Sequence, residues 1–361
     1  MSKVAIENNL KRKIHLQQKI KVLKTNMRNQ HHLIKDKSFL ITGGASLVGS
    51  HIADELLIQG AKEVRLFDNF SLSTTSAITH LLNHPRVPLI KGDVLRMNEL
   101  IDAAKGVDGV FAMAGFLTIP MAKDPVLGVS VNTMGMVNTL EACRINGVRR
   151  IVFSSSVATY GNPVESPVNE SAPYCYEALQ PPSLLYGASK LMGEALCAQY
   201  AKAHGLEFNV LRFSSVYGER QHARALNAVF VAQVCDKVRA GLAPVIGGDG
   251  SEVHDYVYVT DVAQACALAM TSYSHGHILN IATGIDTTHT AVAEIALKIC
   301  GRFDLKPEYQ ADTRTVKPAA SSVLGFSREA AKNNIDWEPK VDVQSGIARL
   351  IEWQKNVSHL T

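Results

Sequence analysis

The fold of this chain can be read from one stretch of its sequence, Ser38-Phe39-Leu40-Ile41-Thr42-Gly43-Gly44-Ala45-Ser46-Leu47-Val48-Gly49-Ser50. The stretch begins with an apolar run, which is typical of a strand in a parallel sheet covered on both faces. Gly43 and Gly44 permit a tight turn, and the helix that begins near Ser46 would direct its free N–H groups at a phosphate. Gly49 would let this helix pack closely against the strand. A glycine turn between a strand and a helix also occurs without any ligand, so other parts of the sequence are needed to show whether this turn binds a phosphate.

An acidic residue follows this turn at the sequence distance that is typical of dinucleotide-binding proteins. Residues 64–68 are a second predicted strand that ends in Asp68. This aspartate lies about 20 residues beyond the glycine turn, where a carboxylate can accept hydrogen bonds from the adenosine ribose and would repel a 2′-phosphate. The position therefore favours NAD over NADP. The alternative is that Asp68 only caps a turn before Asn69.

Further apolar runs alternate with helical segments along the chain. Residues 87–90, 109–115 and 150–156 are predicted strands, and residues 129–146 are a predicted helix. This alternation predicts an α/β fold with a Rossmann-type, doubly wound parallel sheet, whose ligands bind beyond the carboxyl ends of the strands. Small residues at the end of the strand 109–115 leave room for a cofactor there.

A tyrosine and a lysine stand together at the start of a later helix. Residues 161–182 contain five prolines and are predicted to form an irregular loop over the active site. The helix that follows carries Tyr186 and Lys190, which are four residues apart and therefore share one face. Taken alone, such a pair is also compatible with a simple surface contact.

The composition excludes several classes of protein. The chain is 46% hydrophobic, and it contains no run of about 18 apolar residues such as a membrane helix requires, so a soluble protein without a membrane span is expected. Its six cysteines are scattered without CxxC spacing, which predicts neither a metal site nor a disulfide framework and suits the cytoplasm. The formal net charge is +4. The first 37 residues contain ten basic and two acidic residues, a net charge of +8, so the remainder carries −4. This acidic body gives no indication of nucleic-acid binding.

The basic N-terminal segment, residues 1–36, is predicted to be one amphipathic helix. Its apolar residues recur mostly at three- and four-residue steps, and it contains neither glycine nor proline. The segment lacks the apolar core of a secretory signal, and its basic residues are mainly Lys, not the Arg of a transit peptide. We expect its apolar stripe to pack on the body of the protein or on a partner subunit.

Together, these motifs resemble the extended short-chain dehydrogenase/reductase family, in its NAD-dependent epimerase/dehydratase branch that acts on nucleotide-diphosphate sugars. The resemblance covers most of residues 37–339. The matching motifs are Thr42-Gly43-Gly44 with Gly49, Asp68-Asn69, Gly92-Asp93-Val94, Asn132, Ser154-Ser155-Ser156 with Tyr160-Gly161, Tyr186 with Lys190, Leu211-Arg212 with Val216-Tyr217-Gly218, Gly248-Asp249-Gly250, and Asp255-Tyr256-Val257-Tyr258-Val259 with Asp261-Val262-Ala263.

The resemblance implies roles for individual residues. Tyr186 would be the catalytic acid/base, Lys190 would lower its pKa and hold the nicotinamide ribose, and Ser156 would orient the substrate oxygen. A tyrosine with a pKa near 10 is a poor base at neutral pH, whereas a nearby ammonium and a cationic nicotinamide favour the phenolate. The implied NAD contacts are Gly43, Ser46, Leu47, Val48, Gly49, Asp68, Asn69, Asp93, Val94, Met113, Ala114, Asn132, Ser154, Tyr186, Lys190 and Phe213. The implied substrate contacts are Thr118, Ser156, Ser215, Arg220, His254 and Lys317.

The residues after Ser156 narrow the choice of reaction. Dehydratases of the family carry an Asp-Glu pair there, and the decarboxylases carry a Glu in this region, whereas this chain has Val157 and Ala158. Neither side chain can transfer a proton. A sugar-nucleotide 4-epimerase is therefore favoured, with a net dehydrogenase or reductase as the alternative. A non-catalytic NAD-binding scaffold is a third hypothesis, against which the Ser156, Tyr186 and Lys190 set argues.

The chain also departs from the family pattern at its substrate side. Ser215 replaces the usual Asn and His254 replaces an Arg, while Lys317-Pro318-Ala319-Ala320 replaces Arg-Pro-Gly-Asp. On the cofactor side, Ser46 replaces a glycine. The predicted organisation is an NAD-binding domain of residues 37–212, to which 255–283 return, and a smaller C-terminal α/β substrate lobe of residues 213–254 and 284–361. Relatives commonly form homodimers through two helices, here residues 129–146 and 186–204.

Overall fold

The computed structural model describes residues 33–177, 179–221, 229–314 and 325–357. Most of the predicted N-terminal helix, and Lys317 with its neighbours, lie outside these ranges. The described part of the N-terminal segment includes Ile34, which is fully buried.

Twelve strands are found among the described residues. They are β1 (Ser38–Thr42), β2 (Glu63–Asp68), β3 (Leu89–Lys91), β4 (Gly109–Ala112), β5 (Arg150–Ser156), β6 (Glu207–Phe213), β7 (Ser215–Tyr217), β8 (Val245–Gly247), β9 (Val253–Tyr258), β10 (His277–Ile281), β11 (Asp286–Thr288) and β12 (Glu308–Gln310).

The helices of the described residues alternate with these strands. They are α1 (Leu47–Ile58), α2 (Met97–Ala103), α3 (Thr118–Lys123), α4 (Pro125–Val129), α5 (Gly135–Asn146), α6 (Pro181–His204), α7 (Val229–Arg239), α8 (Val259–Thr271), α9 (His289–Ile299), α10 (Glu329–Ile335) and α11 (Val343–Val357).

The main sheet confirms the predicted doubly wound α/β fold. It has seven strands in the order β10-β6-β5-β4-β1-β2-β3, and all neighbouring strands are parallel. The chain runs outward from β1 to β3 on one side and from β4 to β10 on the other. Because the direction of winding changes between β1 and β4, a crevice opens at their carboxyl ends, where such sheets bind ligands.

Helices cover both faces of this sheet with apolar side chains. On one face, α1 and α8 contribute Ile52, Leu56, Val262 and Cys266 to a continuous buried cluster. The helices α2, α5 and α6 form a second cluster with the main sheet. This two-sided cover is why the strand residues of β1 are all buried.

A smaller part of the fold lies at the carboxyl ends of the main strands. Its sheets are the three-stranded β11-β9-β7 and the two-stranded β12-β8, and α7, α9 and α11 enclose a separate apolar core with them. Strand β9 remains in the small sheet as far as Tyr258. The return to the main sheet therefore begins at Val259, with α8, rather than at Asp255.

The buried carboxylate of Asp255 fastens the small sheet to the main one. Its Oδ1 accepts hydrogen bonds from the Ser214 hydroxyl (2.9 Å) and the Thr283 N–H (2.8 Å), and its Oδ2 accepts one from the Gly284 N–H (2.6 Å). Ser214 follows β6, and Thr283 and Gly284 follow β10. One side chain thus ties together two points at which the chain passes between the sheets.

The segment predicted as one helix over residues 129–146 is interrupted in the structure. Helix α4 ends at Val129, residues Ser130–Met134 form a wider π-helical turn, and α5 begins at Gly135. Such wide turns occur frequently at functional sites, because they change the direction of one side chain. Here the turn contains Asn132.

Helix α6 starts and stops where its sequence dictates. Pro181 and Pro182 occupy its first turn, where a missing N–H costs no helical hydrogen bond. Gly205 ends it with φ of +70°, the left-handed conformation that closes many helices. This helix carries Tyr186 and Lys190 against the main sheet. Among the described residues, none of the helices combines the length and the apolar character needed to cross a membrane.

Candidate active site

A cavity of about 950 Å³ opens at the crevice predicted from the strand order. It extends from the glycine turn after β1 to the small sheet. The predicted site residues that line it are Gly43, Ser46, Leu47, Val48, Asp68, Asn69, Val94, Met113, Ala114, Thr118, Ser154, Ser156, Tyr186, Lys190, Phe213, Ser215 and His254. Gly49, Asp93, Asn132 and Arg220 lie outside this lining.

The glycine turn leaves no space for side chains. Gly43 has φ of +66°, and a Cβ placed on it would lie 2.9 Å from the backbone nitrogen of Ala114. A Cβ on Gly49 would overlap the carbonyl oxygen of Gly43. Ser46 is the N-cap of α1, where its hydroxyl accepts a hydrogen bond from the Gly49 N–H (3.1 Å). The serine that replaces the family's glycine therefore caps the helix.

Asp68 joins the end of β2 to the glycine turn. Its Oδ2 accepts a hydrogen bond from the Ala45 N–H (3.0 Å), and its Oδ1 accepts from the Phe70 N–H (2.8 Å) and the Ser73 hydroxyl (2.8 Å). The carboxylate also lines the cavity. Asp68 therefore caps the turn, as one of the two sequence interpretations predicted, and it also lines the cavity, where the predicted ribose contact stays a prediction.

Tyr186, Lys190 and Ser156 come together at the carboxyl end of β5. Tyr186 and Lys190 are buried on α6, with 6% and 5% of their surface exposed. The Lys190 ammonium donates to the carbonyl oxygen of Ser154 (2.7 Å) and lies 5.9 Å from the centre of the Tyr186 ring. The Ser156 side chain lies close enough to the Tyr186 phenol to act against the rise of its pKa. A phenol, a hydroxyl and an ammonium thus face one wall of the cavity.

The electrostatics of this trio differ from what the resemblance implies. Burial raises the pKa of Tyr186 to about 12, although the nearby Ser156 side chain acts in the opposite direction. Burial also lowers the pKa of Lys190 to about 8, against the attraction of the Glu194 carboxylate. Both shifts disfavour the charged form, because each group lies in apolar surroundings. Burial therefore outweighs the effect of Ser156, and the pKa of the phenol is raised.

Asn132 organises the cavity wall without lining it. Its Oδ1 accepts a hydrogen bond from the Phe116 N–H (2.7 Å), and its amide donates to the Phe116 carbonyl (3.0 Å) and the Ser189 hydroxyl (2.9 Å). The amide thereby links the segment after β4, which leads to Thr118, with helix α6.

The predicted substrate residues are divided between two places. The Ser215 hydroxyl lies 3.3 Å from Nδ1 of His254 at the cavity. Arg220 has φ of +66°, and its guanidinium forms an ion pair with Asp54 on α1 (2.6 Å). The structure therefore does not bring Arg220 together with Ser215 and His254.

Several cavity-lining residues were not predicted from the sequence, among them Glu252, His289 and Arg314. Arg314 forms ion pairs with Glu252 and with Asp312 (2.8 Å). Burial raises the pKa of Glu252, but hydrogen bonds from His254 and Arg314 bring it down to about 2. Burial lowers the pKa of His289 to about 4. Because these residues are far apart in the sequence, no local motif indicated them. The one available signal was that Arg314 stands only three residues before the predicted substrate residue Lys317.

The sequence profile of one family matches residues 39–282, which include the glycine turn, Asp68 and the Tyr186–Lys190 pair. The chain belongs to the NAD dependent epimerase/dehydratase family.

Several UDP-glucose 4-epimerases resemble the chain over most of its length. A UDP-glucose 4-epimerase of Lacticaseibacillus casei is 31% identical and is matched over 88% of this chain and 96% of its own. The crystal structure of UDP-glucose 4-epimerase from Thermotoga maritima with UDP-glucose has 28% identity and a TM-score of 0.79, covering 89% of this chain and 99% of that one. The UDP-glucose 4-epimerase of Thermus thermophilus in complex with NAD has 29% identity and a TM-score of 0.74, covering 88% and 99%.

The cavity of this family member fits its NAD cofactor. The N-terminus of α1 opens onto the cavity through Ala45, Ser46 and Leu47, and free N–H groups at a helix N-terminus suit a pyrophosphate. A side chain at Gly43 would meet backbone atoms of the neighbouring strand end. The Asp68 carboxylate stands at the end of β2, where it would repel a 2′-phosphate. The cofactor is NAD.

Proposed function

We propose that this protein catalyses the NAD-dependent epimerisation of a nucleotide-diphosphate sugar at C4, through a transient keto intermediate. The observation that carries the proposal is the convergence of Tyr186, Ser156 and Lys190 on one wall of a cavity that also contains the glycine turn. The named relatives support the substrate class, since they are UDP-glucose 4-epimerases.

Each of the three residues has a distinct role in this proposal. Tyr186 removes the proton of the sugar hydroxyl and later returns it, while the nearby Ser156 orients that oxygen. Lys190 is held by the Ser154 carbonyl and would hold the nicotinamide ribose. NAD, when bound, supplies the hydride acceptor and donor. Because burial raises the pKa of Tyr186 to about 12 while Ser156 acts in the opposite direction, the positive charge of oxidised NAD would further favour the phenolate.

The residues next to Ser156 support epimerisation over elimination. Val157 and Ala158 continue directly from β5 in a 3₁₀ turn, and both line the cavity. Their side chains cannot protonate a leaving hydroxyl, as a dehydratase requires. The keto intermediate would therefore remain available for reduction from its other face.

We also propose a cytoplasmic homodimer. All six cysteines lie in the described ranges and are free thiols, which suits a reducing compartment. Val126 on α4, Met134 in the π turn and Met192 on α6 are 77%, 52% and 50% exposed. Met134 and Met192 belong to the two segments expected to meet in a dimer, residues 129–146 and 186–204, and Val126 lies just before the first of them.

The test is a coupled pair of measurements on UDP-glucose with stoichiometric NAD. We expect UDP-galactose to form without net accumulation of NADH. The Tyr186→Phe variant should lose about 10²- to 10⁴-fold in kcat while it still folds and binds NAD, whereas Tyr273→Phe, a change at a 61% exposed residue outside the cavity, should be unaffected. Steady NADH formation would instead identify a net dehydrogenase, and full activity of Tyr186→Phe would refute the proposed base.

A further inference from the structure

Three potential metal ligands converge at the edge of the cavity nearest the small sheet. They are Glu252, His254 and His289, whose ligand atoms all lie within 4.8 Å of one another. Nε2 of His254 is 2.6 Å from Oε1 of Glu252, and Nε2 of His289 is 3.6 Å from the same oxygen. One carboxylate oxygen thus faces two imidazole nitrogens.

The backbone explains how residues so distant in sequence meet. Strand β11 pairs antiparallel with β9, which places Thr287 opposite His254. The next hydrogen bond joins the His289 N–H to the Glu252 carbonyl (3.0 Å). The two chain segments therefore present their side chains in a fixed register.

The two imidazoles are already oriented by other contacts. Nδ1 of His254 lies 3.3 Å from the Ser215 hydroxyl, which leaves Nε2 directed at Glu252. The ring of His289 stacks on Phe230, with centres 3.8 Å apart, and lies nearly parallel to His254 at 5.2 Å. Partners of this kind hold histidine ligands in position in metal sites.

Burial and charge also suit a cation. The side chains of Glu252, His254 and His289 are only 16%, 27% and 5% exposed, unlike acidic groups on an open surface. Arg314 binds Glu252 and Asp312, so two carboxylates surround one guanidinium. Glu252, Asp312 and Arg314 together carry one net negative charge when His254 and His289 are neutral.

We propose that Glu252, His254 and His289 bind one divalent metal ion of the zinc class. Two imidazoles and one carboxylate are the ligands of zinc sites that leave a fourth position open, and here all three ligands line the cavity. Metal binding at Nε2 of His254 replaces the hydrogen bond with Glu252, and the neutral imidazole then carries its single proton on Nδ1, which faces the Ser215 hydroxyl. The open position would take an oxygen of the substrate diphosphate, a step that rests on the proposed function.

The first experiment measures Zn²⁺ binding to the full chain after treatment with a chelator, by titration calorimetry and elemental analysis. We expect one Zn²⁺ per chain. His254→Ala and His289→Ala should each weaken it by at least about 10- to 100-fold, and His254→Asn serves as a milder replacement whose folding is checked by thermal melting. His275→Ala, at a 48% exposed histidine outside the cluster, is the matched control.

Two results would overturn the metal site. One is the absence of Zn²⁺ binding to the wild-type chain. The other is equal binding by the wild-type chain and by folded His254 and His289 variants, which would place the ion elsewhere. Co²⁺ provides an independent readout, since its visible absorption bands report a four-coordinate site and should disappear in the same variants.

A second experiment separates this inference from the epimerase reaction. The affinity for UDP is measured with and without Zn²⁺, and uridine, which lacks the diphosphate, is the control. We expect Zn²⁺ to increase the affinity for UDP and to leave that for uridine unchanged. An unchanged UDP affinity would overturn the diphosphate contact, whereas a protein that binds Zn²⁺ but does not epimerise UDP-glucose would contradict only the proposed function.

Discussion

The Asp68 carboxylate holds the glycine turn, and we predict that it also recognises the adenosine ribose of NAD. It accepts hydrogen bonds from Ala45, Phe70 and Ser73, and an amide in its place offers only one accepting oxygen. We predict that Asp68→Asn weakens NAD binding by about 10- to 100-fold, because hydrogen bonds to a charged group contribute about 1.5–3 kcal/mol. It should also reduce the preference for NAD over NADP.

Calorimetric titration with both dinucleotides checks this prediction. Asp102→Asn, on the exposed side of α2, is the control for loss of one negative charge. Unchanged NAD affinity and unchanged discrimination in Asp68→Asn would contradict the role of the carboxylate.

His51 makes the stability of the protein sensitive to acid. Burial and the nearby Arg220 guanidinium lower its pKa to about 4, whereas an exposed histidine titrates near 6.5. Between these values the unfolded chain binds more protons than the folded one, so the free energy of unfolding falls as the pH decreases from 6.5 towards 4. The loss from pH 7 to pH 5 is about 2 kcal/mol for this group.

Urea unfolding at pH 7 and pH 5 tests this effect. The His51→Gln variant should be less stable at pH 7, because it alters a packed side chain, but its loss between the two pH values should be smaller by about 2 kcal/mol. An identical pH dependence in the variant and the wild-type chain would show that His51 is not responsible.

The sequence predicted single residues well where one element determines their position. Tyr186 and Lys190 share a helix face because they are four residues apart, and Asp68 ends a strand beside the glycine turn. The pKa of Tyr186 could not be predicted, since its sign depends on burial among residues of several elements. Glu252 and His289 were missed for a similar reason, because the pairing of β9 with β11 brings them together.

Helix α1 depends on close contact with the glycine turn. A methyl group at Gly49 would overlap the Gly43 carbonyl and lie 2.9 Å from the Gly44 Cα, so the helix would have to move. We predict that Gly49→Ala lowers the free energy of unfolding by about 1–3 kcal/mol and weakens NAD binding, since the N-terminus of the helix is displaced.

Chemical unfolding and NAD titration of the same samples measure both effects. Ile58→Ala, at an 80% exposed position in the last turn of α1, should change stability by less than about 0.5 kcal/mol. A Gly49→Ala protein that unfolds and binds NAD like Ile58→Ala would show that this contact is unimportant.

Elements were predicted more reliably than the interruptions within them. The alternating strands and helices follow from local periodicity, which the main sheet confirms. The π turn at Ser130–Met134 cannot be predicted from this periodicity, because the residues on both sides of it favour a continuous helix. Asn132 in this turn forms two hydrogen bonds with the Phe116 backbone, a contact between segments that sequence periodicity does not report.

The proposed homodimer, formed by residues 129–146 and 186–204, would bury Met134 and Met192 and also the neighbouring Val126, which are all exposed in the single chain. We predict that Val126→Asp combined with Met192→Asp converts a dimer into monomers, because each aspartate would place an unpaired charge in the interface. Light scattering coupled to gel filtration gives the mass directly. Phe303→Asp, at an 81% exposed residue elsewhere, should remain a dimer, and a wild-type chain that is already monomeric would refute the assembly.

The Asp255 carboxylate also limits how this protein can be recombined with its relatives. The small sheet is built from two separate stretches of chain, one from Ser215–Tyr217 to Val253–Tyr258 and the other from Asp286–Thr288 onward. Asp255 bridges the junctions that precede both stretches, at Ser214 and at Thr283 with Gly284. A chimera that transplants substrate preference must therefore exchange both stretches together and keep all partners of this aspartate from one parent.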